Sequence, residues 1–265
     1  MSIALSRRVV LQAVGTLGNP DRVERHRARI ASAVGAAGGL PRVPRGALVV
    51  VKVNTNSGDP APYSSSPTLV QWVVEAYVAM GARVLVGDRS FWGDPDTRGN
   101  LERNGIAPAA RAAGARVVPF EDDTVRWTTL DPEKLPHWVG PVRVPAAVFE
   151  AACVVNLACA KTHFISGVTL GLKNVLGFVH ADDRKRPGNL RVHVKERLVH
   201  QVAELHAALP LHFTIIDAFE ALVTGGPTPT SGAPPTIVQP EVVLADRDAH
   251  RVEARAKHLL AAWAP

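Results

Sequence analysis

The chain has 265 residues, 46% of them hydrophobic, and a formal net charge of +6 at pH 7. Its apolar runs fall far short of the roughly 20 residues that cross a membrane, and its scattered arginines accompany no nucleic-acid recognition motif. We therefore expect a soluble, cytoplasmic protein that binds a small anionic substrate, and neither a membrane nor a nucleic acid.

Strands and helices alternate in the first half of the sequence. Glycine follows the predicted helices before the next strand begins, which is typical of the βαβ units of a parallel sheet. Ser6-Arg7-Arg8 resembles a twin-arginine export signal, but no small-residue cleavage site follows, so a first strand is favoured there. The predicted strands are 9–14, 47–53, 83–87 and 116–120, and the predicted helices are 21–37, 67–80 and 100–113.

The second half is less regular. Residues 121–142 show no clear hydrophobic period, so we expect an irregular segment that covers the sheet. The segment 224–240 is rich in proline, so we expect no regular secondary structure there. Further elements are expected at 142–148, 154–157, 192–209, 213–217, 241–245 and in a helix ending at Trp263. We predict a single domain, 1–265, with possible lobes 1–120 and 121–265. Its fold class is α/β with a mostly parallel, doubly wound sheet, whose strand C-terminal ends carry the site.

Polar side chains come directly after several of the predicted buried strands. The carboxyl ends of parallel strands meet at one edge of a sheet, so these side chains are expected to converge on one cleft. A long polar loop, 57–67, follows the second strand and suggests a ligand-binding lip. The strand-end residues are Lys52, Asn54, Asn56, Asp88, Lys161, Thr162, His163 and Asp217.

The glycine-rich segment 166–176 is predicted to be a flexible turn that opens a helix. Gly167, Thr169 and Asn174 are expected to contact a ligand there, because a helix start offers free N–H groups and its dipole favours a carboxylate or phosphate. Lys173 would lie one turn inside, on a helix apolar on nearly every side. We expect Lys173 to be buried and to point into the cleft.

Lysine and histidine are the residues expected to carry chemistry. Burial lowers the pKa of a lysine and makes it useful as an acid, base or nucleophile. The alternative for Lys52 and Lys161 is a buried ion pair with Asp88 or Asp217. His163 titrates near neutrality, which suits proton transfer, although a lone histidine is more often a hydrogen-bonded structural group. The predicted catalytic residues are His163, Lys161 and Lys173.

Cofactor motifs are few. The sequence contains no Gly-x-Ser-x-Gly elbow, no Gly-x-Gly-x-x-Gly and no P-loop, so no nucleotide motif is present. Two cysteines are too few for an iron–sulfur cluster or a structural zinc site, and no iron–sulfur cluster is expected. The cofactor is unknown at this stage. A metal site remains an alternative if the fold joins His163, His180, His193 and Asp217.

The residues Asn-Leu-Ala-Cys-Ala-Lys-Thr-His at 156–163 and Gly-Val-Thr-Leu-Gly-Leu-Lys-Asn-Val-Leu-Gly at 167–177 closely resemble the signature of the domain of unknown function 362 family. The resemblance extends to 49–54, 81–88, 215–217 and 243–248. A weaker resemblance is to the nickel-pincer lactate racemases, in which a His and a Lys ten residues apart flank a glycine-rich turn, as His163 and Lys173 do. That resemblance implies that the lysine carries the cofactor and the histidine moves a proton.

Taken together, these patterns predict a small-molecule enzyme that uses Lys and His for acid–base chemistry on an anionic or carbonyl-containing metabolite, in a biosynthetic pathway. Isomerisation, elimination and a redox reaction are all left open. The alternatives are a non-catalytic ligand-binding or accessory protein and a metal-dependent enzyme with His ligands. A homodimer is a further possibility.

Overall fold

The structure is a computed structural model that describes residues 20–90, 96–189, 195–230 and 234–264. The first predicted strand, 9–14, and His193 lie outside these residues. Within the described ranges, no helix combines the length and the apolar character that crossing a membrane requires.

Strands and helices alternate along the chain, as the sequence predicts. The strands are β1 (Leu48–Lys52), β2 (Arg83–Asp88), β3 (Arg116–Pro119), β4 (Trp127–Thr129), β5 (Arg143–Pro145), β6 (Cys153–His163), β7 (Gly167–Thr169), β8 (Phe213–Thr224), β9 (Thr236–Val238) and β10 (Val242–Asp246). The helices are α1 (Pro20–Ala36), α2 (Pro67–Ala79), α3 (Thr97–Arg103), α4 (Ile106–Ala112), α5 (Ala147–Glu150), α6 (Gly171–Asn174), α7 (Ala181–Lys185), α8 (Lys195–Ala208) and α9 (Ala249–Trp263). Short 3₁₀ turns occupy Pro132–Lys134 and Val175–Phe178.

The central sheet has eight strands, six of them in the order β10-β8-β6-β1-β2-β3. The five strands from β8 to β3 run parallel, and β10 is antiparallel to β8 at one edge. The prediction of a mostly parallel α/β sheet is therefore confirmed. Strands from both predicted lobes, 1–120 and 121–265, pair within this one sheet.

Both faces of the sheet are covered, which is why its inner strands read as continuous apolar runs. On one face, Val49 and Val51 of β1 pack in a cluster with Ile30 of α1 and Leu69 of α2. On the other face, Val50 packs in a cluster that includes Phe178, Leu198 and the β4–β5 region. The alternation of successive β1 side chains between these two cores fixes the direction of Lys52 at the strand end.

Three regions differ from the sequence-based expectation in the number of elements. The predicted helix 100–113 is two helices, α3 and α4, because Gly105 between them has a φ of 82°, a left-handed conformation that ends a helix. The segments 121–142 and 224–240, expected to be irregular, contain the short strands β4 and β9.

The largest local difference is at β6. We expected a strand at 154–157 followed by a loop, but β6 continues to His163 because β7 folds back on it in antiparallel pairing, with Lys161 opposite Thr169. Residues 167–169 are therefore a hairpin strand and not a helix start. The β-branched side chains of Val168 and Thr169 favour this extended conformation. The helix begins only at Gly171 and lasts one turn.

Candidate active site

A cavity of about 510 Å³ opens at the carboxyl ends of β1, β2 and β6. The order of the strands reverses where β1 separates β2 from β6, and open α/β sheets bind ligands at such switch points. The sequence-predicted site residues that line this cavity are Lys52, Asn54, Asn56, Asp88, Lys161, His163, Thr169, Lys173 and Asn174.

Lys52, at the end of β1, is fully buried and its ammonium group has three partners. Nζ forms an ion pair of 2.6 Å with Asp88 Oδ1 and donates hydrogen bonds to Val53 O (2.6 Å) and Asn174 Oδ1 (3.3 Å). Two backbone N–H groups also donate to the Asp88 carboxylate, each at 2.7 Å. Burial lowers the pKa of Lys52, and the charge of Asp88 opposes that shift. This pair ties β1 to β2 at the cavity wall.

Amide side chains hold Lys161 in place. Its Nζ donates to Asn54 Oδ1 at 2.8 Å and to the carbonyl oxygen of Tyr63. Asn54 Nδ2 donates to Asn174 Oδ1 at 2.9 Å, and Asn174 Nδ2 donates to Asn156 Oδ1 at 2.8 Å. Burial lowers the pKa of Lys161, and among its described partners none is a carboxylate within ion-pair distance. The network gives the Lys161 ammonium group two hydrogen-bond acceptors, while the charges of Asp88 and Asp59 act on it only from beyond ion-pair distance.

Lys173, on the single turn of α6, differs from both other lysines. It is half-buried at the cavity wall, and Nζ has no hydrogen bond or ion pair with any described residue. Burial, followed by the like charges of Lys161 and Arg184, lowers the pKa of Lys173 well below its usual range. An amine in these surroundings is neutral at a lower pH than an ordinary lysine, and can act as a base or a nucleophile.

His163 lies at the outer end of β6. Its Nδ1 accepts hydrogen bonds from the backbone N–H of Ile165 (3.1 Å) and Ser166 (3.4 Å). With Nδ1 used as an acceptor, the neutral ring carries its hydrogen on Nε2. The ring stacks on Phe164, a cavity residue whose side chain is 69% exposed, with 5.0 Å between ring centroids. The hairpin turn thus holds both rings at the cavity.

Two arginines also line the cavity and were not predicted as site residues. Arg89 directly follows Asp88, and Arg184 lies on α7; both are only 7% exposed. Burial lowers the pKa of Arg184 to about 10, and the charge of Arg89 adds to the effect. The position of Arg89 after a strand could have indicated it. Arg184 lies in a run of charged residues, which is typical of a solvated surface and gave no such signal.

The sequence model of the family described as domain of unknown function (DUF362) matches residues 49–256. The chain belongs to the DUF362 family. The thylakoid-associated protein sll1697 of Synechocystis sp. is 26% identical to it over 168 residues, which are 61% of this chain and 47% of that protein.

Among solved structures, the lactate racemase apoprotein from Thermoanaerobacterium thermosaccharolyticum superposes with a TM-score of 0.54 at 12% sequence identity, over 88% of this chain and 54% of that one. This DUF362 chain therefore spans about half the length of both proteins. At this level of identity, the likeness shows a shared α/β fold.

Three of the predicted ligand contacts in the DUF362 chain lie outside the cavity lining: Thr162, Gly167 and Asp217. Thr162 Oγ1 accepts a hydrogen bond of 3.3 Å from the backbone N–H of Gly226. Because successive side chains of a strand point to opposite faces, Lys161 and His163 face the cavity and Thr162 does not. Gly167 has a φ of 77° and belongs to the hairpin turn.

The carboxylate of Asp217, on β8, accepts hydrogen bonds from the backbone of neighbouring segments. Its Oδ2 accepts from the backbone N–H of Ser66 at 2.9 Å and its Oδ1 from that of Phe219 at 3.1 Å. Ser66 is the N-cap residue of α2 and makes no side-chain capping bond, so Asp217 stabilises the start of that helix. Burial raises the pKa of Asp217 to about 6.

The expected anion site at a helix start is already occupied by a side chain of α9. Glu253 Oε2 accepts a hydrogen bond of 3.0 Å from the backbone N–H of Leu172, and burial raises the pKa of Glu253. A carboxylate from a distant segment thus already takes this N–H group of α6. That the helix entrance binds the substrate anion stays a prediction.

Gly177, the last glycine of the glycine-rich segment, lies against the Lys52–Asp88 pair. A Cβ at this position would lie 2.0 Å from Asp88 Oδ1 and 2.7 Å from Lys52 Nζ. Only glycine lets the 3₁₀ turn after α6 approach the Lys52–Asp88 pair so closely. That approach brings Lys173 and Asn174 to the cavity.

The described residues of the DUF362 chain contain no group of three or more His, Cys, Asp and Glu side chains arranged to hold a metal ion. His180 lies outside the cavity lining, where its Nδ1 is 3.0 Å from Arg143 Nη2 and its ring packs edge-on against Trp127. His163, His180 and Asp217 therefore do not form the ligand set considered from the sequence.

Proposed function

We propose that this protein is an enzyme that binds a small anionic, carbonyl-containing or hydroxyl-containing metabolite in the 510 Å³ cavity and moves a proton with Lys173. The observation that carries the proposal is the position of the Lys173 amine, which lines the cavity without a hydrogen bond or ion pair to any described residue. A half-buried lysine that is unpaired among like charges is costly to maintain, and such perturbed groups cluster at functional sites.

The proposed proton transfer uses the charges of the cavity. Neutral Lys173 Nζ takes a proton from the carbon next to a carbonyl or carboxyl group, and the electron pair of the broken C–H bond moves onto the oxygen atom of that group. The positive charges of Lys161 and Arg184 stabilise the negative charge that develops on that oxygen. His163 lines the same cavity. Isomerisation and elimination both begin with such a step.

A second candidate is that Lys173 carries an organometallic cofactor. The likeness in fold to a lactate racemase apoprotein and the shared spacing of His163 and Lys173 support it. The residues present fit such a group, because the Lys173 amine is unpaired among the described residues and lines a cavity of about 510 Å³, a size typical of sites that hold a cofactor or a small ligand. Lys173 would hold the cofactor, which would supply hydride-transfer chemistry, while His163 would hold or move a proton at Nε2.

Proton exchange with solvent tests the first candidate. The purified chain is incubated in D₂O with a panel of 2-hydroxy and 2-oxo acids, and loss of the substrate C–H signal is followed by NMR. We expect Lys173→Met to slow the exchange by about 100-fold or more while the circular dichroism spectrum stays unchanged. Lys134→Met removes an exposed lysine and is the matched control.

Exchange by Lys173→Met at the wild-type rate would remove Lys173 from the mechanism. Binding of the acids without any exchange by the wild-type chain would instead support a non-catalytic ligand-binding protein.

A further inference from the structure

Arg89 and Arg184 are buried at the cavity with too few partners. Each is only 7% exposed, and each has an Nε atom that is fully buried without a hydrogen-bond partner among the described residues. Arg184 Nη1 donates one long hydrogen bond, 3.3 Å, to the carbonyl oxygen of Ser90. Arg89 Nη1 is 3.7 Å from Glu121 Oε2, an ion pair beyond hydrogen-bond distance. Buried arginines are normally paired and fully hydrogen-bonded.

The nearby carboxylates are engaged elsewhere. Asp88 acts on Arg184 electrostatically, but its two oxygen atoms are already occupied by the Lys52 ammonium group and by two backbone N–H groups. Glu121 Oε1 accepts from the backbone N–H of Thr97 at 2.8 Å, and among the described residues only its other oxygen lies within ion-pair distance of either arginine. The two guanidinium groups thus repel one another with only this long ion pair to offset their charges.

We infer that Arg89 and Arg184 form a subsite for an oxyanion of the ligand, a carboxylate or a phosphate group. The planar guanidinium fork matches both oxyanions. Both side chains line the cavity, and their described contacts give Arg184 one long hydrogen bond and Arg89 one long ion pair, so an oxyanion in the cavity would complete both groups. The inference rests on the proposed function in one respect, since it treats the ligand as the substrate. It then specifies that substrate as an acid whose anionic group is bound by the arginines and whose reacting carbon lies at Lys173.

A site built for an anion has a distinctive stability signature. Without the anion, the paired guanidinium charges destabilise the fold, so removing one of them does not lower the melting temperature. With the anion, the intact pair gives a concentration-dependent rise in melting temperature, because the anion binds the folded state alone.

The test uses thermal melting of the whole chain with inorganic phosphate and with acetate, at an ionic strength held constant with sodium chloride. We expect a rise in melting temperature for the wild type and loss of that rise in Arg184→Met and Arg89→Met. Calorimetry should show binding of the effective anion weakened by about tenfold or more in both variants. Arg255→Met, at an exposed position on α9, is the matched control and should keep the rise. Comparison of the two anions shows whether phosphate or carboxylate is preferred.

Arg184→Lys keeps the charge without the planar fork, and we expect it to fold and to bind the anion with reduced affinity. The inference is overturned if both methionine variants keep the anion-dependent rise, or if Arg184→Met melts below the wild type in the absence of anion. Either result leaves the Lys173 proposal intact, since the exchange assay with Lys173→Met tests that separately.

Discussion

Lys52 and Lys173 line the same cavity and have opposite surroundings. The Lys52 ammonium group has an ion pair with Asp88 and two hydrogen bonds to oxygen atoms. The Lys173 amine has neither with any described residue, and its charged neighbours Lys161 and Arg184 are of its own sign. The first lysine is part of the framework that joins the strands. The second has no such partner among the described residues, and this difference is why we propose Lys173, and not Lys52, as the group that moves a proton.

The largest effect is expected from breaking the satisfied pair. Lys52→Met leaves the Asp88 carboxylate buried without its cation, and the loss of one member of a buried pair costs about 3–5 kcal/mol. We expect the free energy of unfolding in urea to fall by this amount. By contrast, Lys173→Met should fold with wild-type stability or better. If Lys52→Met cost less than about 1 kcal/mol, the distinction between the two lysines would fail.

The surroundings of Asp217 are intermediate between those of Lys52 and Lys173, because its carboxylate accepts two N–H hydrogen bonds but has no ion pair among the described residues. Burial raises its pKa from 3.8 to about 6 in the folded chain. The folded state therefore binds this proton more tightly than the unfolded state, so the stabilisation is complete below about pH 4 and is lost as the pH rises through about 6.

The contribution of Asp217 to the free energy of unfolding should be about 2–3 kcal/mol smaller at pH 8 than at pH 3. The measurement is urea unfolding of the wild type and Asp217→Asn across this pH range, taken as the difference between the two proteins. A difference that does not vary with pH would show that Asp217 has an ordinary pKa.

A smaller loss is expected from Gly177→Ala. Its new Cβ would lie 2.0 Å from Asp88 Oδ1, so the 3₁₀ turn must move away from the pair, at a cost of about 1–3 kcal/mol. Gly35→Ala is the matched control, since a Cβ there meets no atom within 4 Å on helix α1. The control should gain stability by about 0.5–1 kcal/mol. Equal effects of the two substitutions in urea unfolding would contradict the close approach.

The sequence predicted the sheet and one wall of the cavity because both depend on local patterns. Apolar runs interrupted by polar residues located the ends of β1 and β2, and hence Lys52 and Asp88. Lys173 was located by its apolar neighbours. Each of these signals lies within a few residues of the side chain that it identifies.

The remaining features depend on contacts between distant segments. No residue close to Leu172 in the sequence indicates that Glu253, on α9, accepts a hydrogen bond from the N–H group of Leu172. The β6–β7 hairpin depends on antiparallel pairing that a single apolar run does not encode. Arg184 lies among charged residues, and its own burial follows only from how α7 packs. Pairing and burial at this range are set by tertiary structure, which overrides local patterns.

The most direct test of the central claim is the pKa of Lys173 in the folded chain. Lysine side chains are labelled by reductive ¹³C-methylation, Lys173→Met assigns the signal, and chemical shifts are followed against pH with and without phosphate. The account predicts a pKa well below the usual lysine range because of burial and the like charges of Lys161 and Arg184, and a rise toward that range when phosphate binds. An ordinary pKa that phosphate does not change would contradict the account.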